Sequence, residues 1–416
     1  MAAGLKQSFR ALRHRDFRWF WIGALVSNVG SWMQNAAVPY VVYTLTGSTA
    51  LVGLTAFLQM IPVVLVGPWS GPLADRVDRR RLLIVTQGLM AVVAFGLWGL
   101  WASGVESVAW LMVLIALSGI VAGVNIPAWQ AFVPSLVPRH DLLNAVALNS
   151  AQFNAGRAIG PALAGAVLVT LGPAWAFFLN ALSFGGVILA LGLIRRPPAE
   201  RRAVSGGSLR QFAEGVRYVR ASPEIFACIL LVLAVASLGQ PVVQLLPVFA
   251  EDVFDVGGGA YGILAGAIGT GATIAAPLLG WIEGWRRSRL LMASIVAYGA
   301  LLVGFAQAPL FLLAVAVIVA AGMAFLAVVS TLQTTVQLLV DDSVRGRVMA
   351  VYVMAFTAAY PVGSLVQGWL ADHVGARATT TGAGLLLVAL AAALASTPWF
   401  DRFDRPTPVA ADPELV

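Results

Sequence analysis

The chain has one lysine, one cysteine and three histidines in 416 residues, and only 11% of its residues are charged. A soluble domain carries about 25% charged residues, so a soluble enzyme or binding module is excluded. Lys6 precedes the first apolar run; without a second lysine there is no Walker A loop, which excludes P-loop ATP binding. Cys228 alone permits no internal disulfide and no cysteine metal cluster. His14, His140 and His373 stand far apart with no His or Cys companion at ligand spacing, which predicts no metal site. An integral membrane enzyme would need acids, histidines or a nucleophile clustered at one face, and the spacing offers none. Short alternating segments are also missing, which excludes a β-barrel.

What remains is apolar: 59% hydrophobic residues and a mean hydropathy of +0.86. Charges cluster between apolar runs of about 20 residues or more, the length of a membrane-crossing helix. Inside a bilayer such runs must satisfy their backbone internally. The expected fold class is therefore an all-α integral membrane protein. Twelve spans are predicted: 17–43, 50–70, 82–103, 108–133, 143–170, 174–194, 224–249, 259–281, 289–306, 309–339, 346–371 and 377–398. The first is too long for a signal-peptide core and lacks a small-residue cleavage site, so it is expected to be an uncleaved anchor.

Arginines assign the sides. Arg10, Arg13, Arg15, Arg76, Arg79, Arg80, Arg81, Arg139, Arg195, Arg196, Arg286, Arg345 and Arg402 fall on one side; the other carries Arg377 with Glu106, Glu251, Asp252, Asp255 and Asp372. Both termini are expected in the cytoplasm. The net charge of +7 then reads as arginines facing anionic lipid, with no nucleic-acid partner. Expected domains are a six-helix bundle over 1–194, a linker over 195–223, a second bundle over 224–398 and a tail over 399–416. In the linker Leu209, Phe212, Val216 and Val219 recur at helical spacing, with Ser208 as a candidate cap. That predicts an amphipathic helix on the inner leaflet.

The halves repeat weakly. Gly71 to Leu83 echoes Gly280 to Leu291, and Val133, Asn144, Gly160 and Gly165 match Val336, Arg347, Gly363 and Gly368 at one offset. Parallel repeats of this kind suggest two bundles related by an axis along the membrane normal, with substrate bound between them.

Two motifs carry the most information. The first is Gly71-Pro-Leu-Ala-Asp75-Arg76-Val-Asp78-Arg79-Arg80-Arg81-Leu-Leu, a charged turn between apolar runs. The second is Gly156-Arg157-Ala-Ile-Gly160-Pro161-Ala-Leu-Ala-Gly165. Its small residues let helices approach closely, and Pro161 removes a backbone donor and bends the helix. Arg157 is the only charge inside a predicted span away from both ends, and such a residue is a functional candidate by default. All nineteen acids fall in connections, tails or span ends. The remaining polar span residues suggest an amphipathic cavity: Asn28, Trp32, Gln34, Asn35, Asn125, Trp129, Gln152, Gln240, Gln244, Gln333, Gln337 and Tyr360.

The first motif resembles the loop between helices 2 and 3 of the major facilitator superfamily, with Asp78 where that family usually has Gly. The resemblance implies a latch in which Asp75 pairs with Arg76, Arg79 or Arg80, while Gly284 stands at the second-half position and predicts no latch there. The second motif resembles the G-x-x-x-G-P motif of exporters in that superfamily, which implies gating by this helix. Arg15-Asp16-Phe17-Arg18, Ser31-Trp32-Met33-Gln34, Val42 to Ser48 and Leu148-Asn149-Ser150 resemble the branch containing enterobactin and macrolide exporters. That implies export of a bulky amphipathic small molecule from a bacterial inner membrane, by a monomer contacting only substrate and lipid. It implies no cofactor, and a transmembrane proton gradient as the energy source. The span carboxylate that many proton-coupled members carry is missing, which leaves Asp75, Asp141, Asp341 or Glu224 to carry protons, or coupling that is indirect. A lysophospholipid translocator of the same fold is the alternative. A sensor or scaffold would be favoured by a large soluble domain, and the sequence suggests none.

Overall fold

The computed structural model describes residues 9–194, 208–279, 286–397 and 400–404. Among them run thirteen helices. The first six are α1 (Arg15–Thr46), α2 (Thr49–Arg76), α3 (Arg79–Ala102), α4 (Val108–Phe132), α5 (Leu142–Thr170) and α6 (Pro173–Leu193). A short α7 (Ser208–Ala221) precedes α8 (Pro223–Val253) and α9 (Gly257–Leu279). Then come α10 (Arg287–Ala306), α11 (Phe311–Leu339), α12 (Arg345–Val374) and α13 (Ala376–Ala395).

Ten of these helices are long and apolar enough to cross a membrane. The two other long ones, α1 and α5, span 32 and 29 residues. They are the helices loaded with amides and, in α5, with Arg157. The predicted spans 17–43 and 143–170 thus exist as helices, but their polarity sets them apart from the rest.

The chain forms two compact units. One holds residues 1–205 with 244–269; the other holds 206–243 with 270–416. Helices α8 and α9 therefore contribute to both. In the first unit α1 packs on α5 and α6, α2 on α4, and α3 on α4 and α6. In the second, α8 packs on α12 and α13, and α10 on α11 and α13. Four of the five pairings recur in the second unit: those of α1 with α5 and α6, and those of α3 with α4 and α6. A Cβ on Gly160 would meet the Met33 nitrogen of α1 at 2.8 Å, and one on Gly363 would meet the α-carbon of Ser237 in α8 at 2.5 Å.

Local chemistry sets the helix ends. Asp78 caps α3: its carboxylate accepts the Arg80 and Arg81 backbone N–H groups at 2.8 and 3.2 Å. This accounts for the departure from the family's glycine. Gly284 lies outside the described residues, but α10 is capped from elsewhere. Asp404 accepts the Ser288 N–H at 2.9 Å, the Ser288 hydroxyl at 2.5 Å and Arg286 Nε at 2.9 Å. Burial raises the Asp404 pKa, while these donors more than offset it and leave it below the usual carboxylate value. Phe403 beside it is fully buried, and Arg402 reaches Glu224 at 2.9 Å.

Helix α8 is irregular for a reason written in its sequence. Pro241 has no N–H to give Ser237, so the helix winds as π over Val235–Gly239 and turns at Gln240. The Gln367 side chain of α12 donates to the Ser237 and Leu238 carbonyls, both at 2.8 Å, and satisfies them from outside. A second π segment, Phe249–Val253, ends α8.

The predicted linker helix is present as α7, with the Ser208 and Leu209 side chains outside the described ones. One of its faces is covered by protein. Glu214 pairs with Arg347 at 3.2 Å, the Tyr218 hydroxyl donates to Asp341 at 3.1 Å, and Val219 is buried. Burial first, and then the Asp341 carboxylate, raises the Tyr218 pKa.

Candidate functional site

The motif residues of α5 face two different neighbours. A Cβ on Gly156 would meet Asn28 of α1 at 3.1 Å, while one on Gly165 would meet the Gly262 α-carbon of α9 at 2.6 Å. On the same side, a Cβ on Gly269 would meet the Ala158 α-carbon at 3.1 Å. Small residues thus let α5 lie against α1 on one side and α9 on the other. Gly160 and Pro161 are both buried.

Beside this seam, Asn149, Phe153 and Arg157 occupy one face of α5 at four-residue spacing. The Arg157 guanidinium carbon lies 5.8 Å from the Trp32 ring centroid, within cation–π range. Trp32 meets Phe153 edge to face, with centroids 5.6 Å apart and planes at 74°. Below them runs an amide chain. Asn28 Nδ2 donates to Gln152 Oε1 at 3.0 Å, Gln152 Nε2 to Asn149 Oδ1 at 3.0 Å, and Trp129 Nε1 to Asn149 Oδ1 at 3.2 Å. Asn28, Trp32, Trp129, Gln152 and Arg157 are therefore brought together. Phe153 was not singled out from the sequence, although its position midway between Asn149 and Arg157 was the signal.

The other polar residues of the first unit join helices to one another. Gln34 accepts from Asn180 at 2.8 Å, and Asn35 accepts from Gln59 at 2.7 Å. Asn125 accepts from Thr86 at 2.8 Å and Gln87 at 3.2 Å. Gln244 is buried at the start of the α8 portion that joins this unit. Gln240, Gln333, Gln337 and Tyr360 belong to the second unit, where Gln333 and Gln337 are exposed and the Gln240 Oε1 atom is buried without a hydrogen-bond partner.

At the charged turn, Gly71 and Asp75 lie in the last turns of α2, and their side chains are outside the described ones. Arg76 is exposed. Arg79 donates to the Ala131 carbonyl at 3.4 Å and Arg80 to the Gly192 carbonyl at 3.0 Å. Both cations therefore sit at helix C-termini, those of α4 and α6, where the peptide dipoles favour positive charge.

Two further clusters were not read from the sequence. His14 and His140, distant along the chain, both approach Asp141 Oδ2, at 2.7 and 3.4 Å, and Arg10 bonds its other oxygen. The His14 hydrogen bond, aided by Arg10 and outweighing burial, holds the Asp141 carboxyl below its usual range. In α1, Tyr40 donates to Glu251 at 2.8 Å and Tyr43 to Asp252. Tyr40 stacks on Tyr261, whose hydroxyl donates to the Ala36 carbonyl at 2.6 Å. Among the described residues no group of three or more His, Cys, Asp or Glu could hold a metal ion.

The chain matches a family model described as a transmembrane secretion effector over residues 6–408. It is 28% identical over 384 residues to the enterobactin exporter EntS of Shigella boydii serotype 4, and 27% identical to that of Escherichia coli O139:H28, with 90% of each chain covered. Its fold is that of the solved nucleoside transporter NupG, at a TM-score of 0.74 and 14% identity over 93% of this chain and 98% of the other. It is also that of a bacterial homolog of the human lysosomal transporter Spinster in its inward-facing, unoccupied form, at 0.73 and 16% over 95% and 99%. The chain is thus a multi-pass membrane transporter rather than an enzyme, and it belongs to the transmembrane secretion effector family of the major facilitator superfamily.

Proposed function

We propose that the protein is a secondary active exporter of a bulky amphipathic small molecule, such as a siderophore or an antibiotic. It works by alternating access and proton antiport, as a monomer with twelve spans in two six-helix bundles and both termini in the cytoplasm. The match to siderophore exporters along 90% of both chains carries this reading. The seating of the α5 glycine motif between α1 and α9 supports it, because a helix packed through backbone on two sides can slide or tilt without repacking large side chains. Asp75 and its neighbouring arginines are the cytoplasmic latch. Asn28, Trp32, Trp129, Gln152 and Arg157 contribute the substrate face.

The test is proton movement in inside-out vesicles with an acidic interior. Siderophores, macrolides and cationic dyes are added in turn, with wild-type protein and with Asp75→Asn. Substrate-dependent collapse of the gradient, lost in the variant, is the expected result. No collapse with any compound, in vesicles where insertion is verified, refutes proton antiport for that panel and brings lipid translocation forward.

A further inference from the structure

Two tyrosines of α1 are tied to two adjacent acids at the end of α8. Tyr40 donates to Glu251 at 2.8 Å, and Tyr43 donates to Asp252. The Tyr40 ring stacks on Tyr261 of α9, with centroids 5.3 Å apart and planes at 22°. Tyr261 in turn donates to the Ala36 carbonyl of α1 at 2.6 Å. A Cβ on Gly258 would meet the Tyr40 hydroxyl at 2.8 Å, so the start of α9 closes over that hydroxyl through bare backbone. Tyr43 is buried, Glu251 is half-buried and Asp252 is exposed. Water therefore reaches the acids while the tyrosines hold them from the protein side.

These contacts lie at the helix ends opposite the arginine-rich connections. At that end of the first unit the connections 47–48, 103–107, 171–172 and 254–256 add the acids Glu106 and Asp255, and no Arg, Lys or His. Hydroxyl donors, not cations from these connections, thus engage Glu251 and Asp252. A hydrogen bond to an ionised acceptor is roughly twice as strong as one between neutral groups, so each contact depends on the charge of its carboxylate. The place of the contacts gives that dependence a mechanical meaning. Residues of α8 from Gln244 onward belong to the first unit and those up to Val243 to the second, with the π turn and Pro241 just before the division. The tyrosines hold to α1 only the part of α8 that lies beyond this break.

We propose that Tyr40–Glu251 and Tyr43–Asp252 form a proton-released latch on the side opposite the cytoplasm. With both carboxylates ionised the latch is closed and α1 holds the end of α8. A proton taken from outside water by Glu251 or Asp252 turns a charge-assisted contact into a neutral one and frees the end of α8 to move about the Pro241 break. Outside acidity then favours opening of that face. The latch rests on the alternating access proposed above, and on neither the substrate nor the coupling ion.

Hydrogen–deuterium exchange of the purified full chain in detergent tests this without transport. Segments 36–46 and 247–261 are followed, with rates corrected for the intrinsic effect of pH. Acidification from about pH 7.5 to about pH 4.5, across the range in which carboxylates take up protons, should speed their exchange at least tenfold. The double variant Glu251→Gln with Asp252→Asn should exchange fast at both pH values. So should Tyr40→Phe with Tyr43→Phe, which keeps the rings and removes the donors. Glu106→Gln should keep the wild-type pH response. Asp252→Asn alone, at an exposed position, should speed exchange several-fold at the higher pH and serves if a double variant fails to fold. A wild-type protein whose two segments ignore pH overturns the latch. So does a folded variant of either pair, or of Asp252 alone, that exchanges as wild type does. Vesicle transport separates the readings: a pH-sensitive latch in a protein that moves no compound of the panel counts against export alone, whereas transport with pH-insensitive segments refutes the latch and leaves export standing.

Discussion

Gly165 of α5 and Gly262 of α9 meet backbone to backbone: a methyl group on Gly165 would lie 2.6 Å from the Gly262 α-carbon. No flexible side-chain end can yield there, because the colliding atom is main chain. Gly165→Val should therefore separate the helices or force the backbone to shift, at a cost of about 1–3 kcal/mol. Gly88, in the middle of α3, has nothing within 4 Å of its Cβ position. Gly88→Ala should be neutral or mildly stabilising, as alanine in a helix is favoured over glycine by roughly 0.5–1 kcal/mol. Thermal unfolding in detergent compares the two, and equal effects would show that the close approach is not what holds α5 to α9.

Asp78 supplies a second test. Its carboxylate accepts two N–H groups of the first turn of α3. Asp78→Ala should cost about 1 kcal/mol, and Asp78→Gly only a few tenths, because glycine is itself tolerated as an N-cap. Asp78→Asn should be close to wild type. The order Ala worse than Gly worse than Asn, read from melting temperatures, is the expected outcome. A wild-type melting temperature for Asp78→Ala would refute the capping role.

Much of this was legible in the sequence. The ten apolar helices and the close packing of the α5 glycines follow from apolar length and small-residue spacing, both local properties. The departure at Asp78 was visible, but its cause was not, because a cap is recognised only once the helix start is fixed. Pairings between distant elements were the hardest to read. His14 and His140 show no ligand spacing, yet both reach Asp141, since the short 3-10 helix Arg10–Arg13 before α1 docks at the start of α5. The amides Gln34, Asn35 and Asn125 signalled polar work within the helices, but not whether a ligand or a neighbouring helix receives it. The structure assigns neighbouring-helix partners to all three. Most of the segment read as a charged turn is instead helix: Gly71–Arg76 end α2 and Arg79–Leu83 begin α3, with only Val77 and Asp78 between them.

The Asp141 cluster makes stability depend on pH in a definite direction. The folded-state pKa of Asp141 lies below its usual 3.8, first through the His14 hydrogen bond and then through Arg10. A depressed carboxylate contributes stability that is fully present above its unfolded pKa and is lost as pH falls through the folded value. Asp141→Asn should therefore melt below wild type at pH 7, with the gap closing once the pH drops below about 3.8. A gap that stays constant across that window would mean that the ionised carboxylate is not what ties the segment before α1 to α5.

Gln367 offers the sharpest structural prediction, because its role follows from a missing atom. Pro241 leaves the Ser237 carbonyl without its helical donor, and Gln367 Nε2 donates to both Ser237 and Leu238 at 2.8 Å. Gln367→Leu keeps the bulk and removes the donor, stranding two carbonyls at a site where Gln367 itself is buried. The expected loss is about 1–3 kcal/mol for a buried acceptor left unsatisfied. Pro241→Ala restores a backbone N–H at the break and should recover part of that loss in the double variant. Melting temperatures of the two single variants and the double variant decide it. Strict additivity of the two changes would mean that Gln367 does not stand in for the missing N–H.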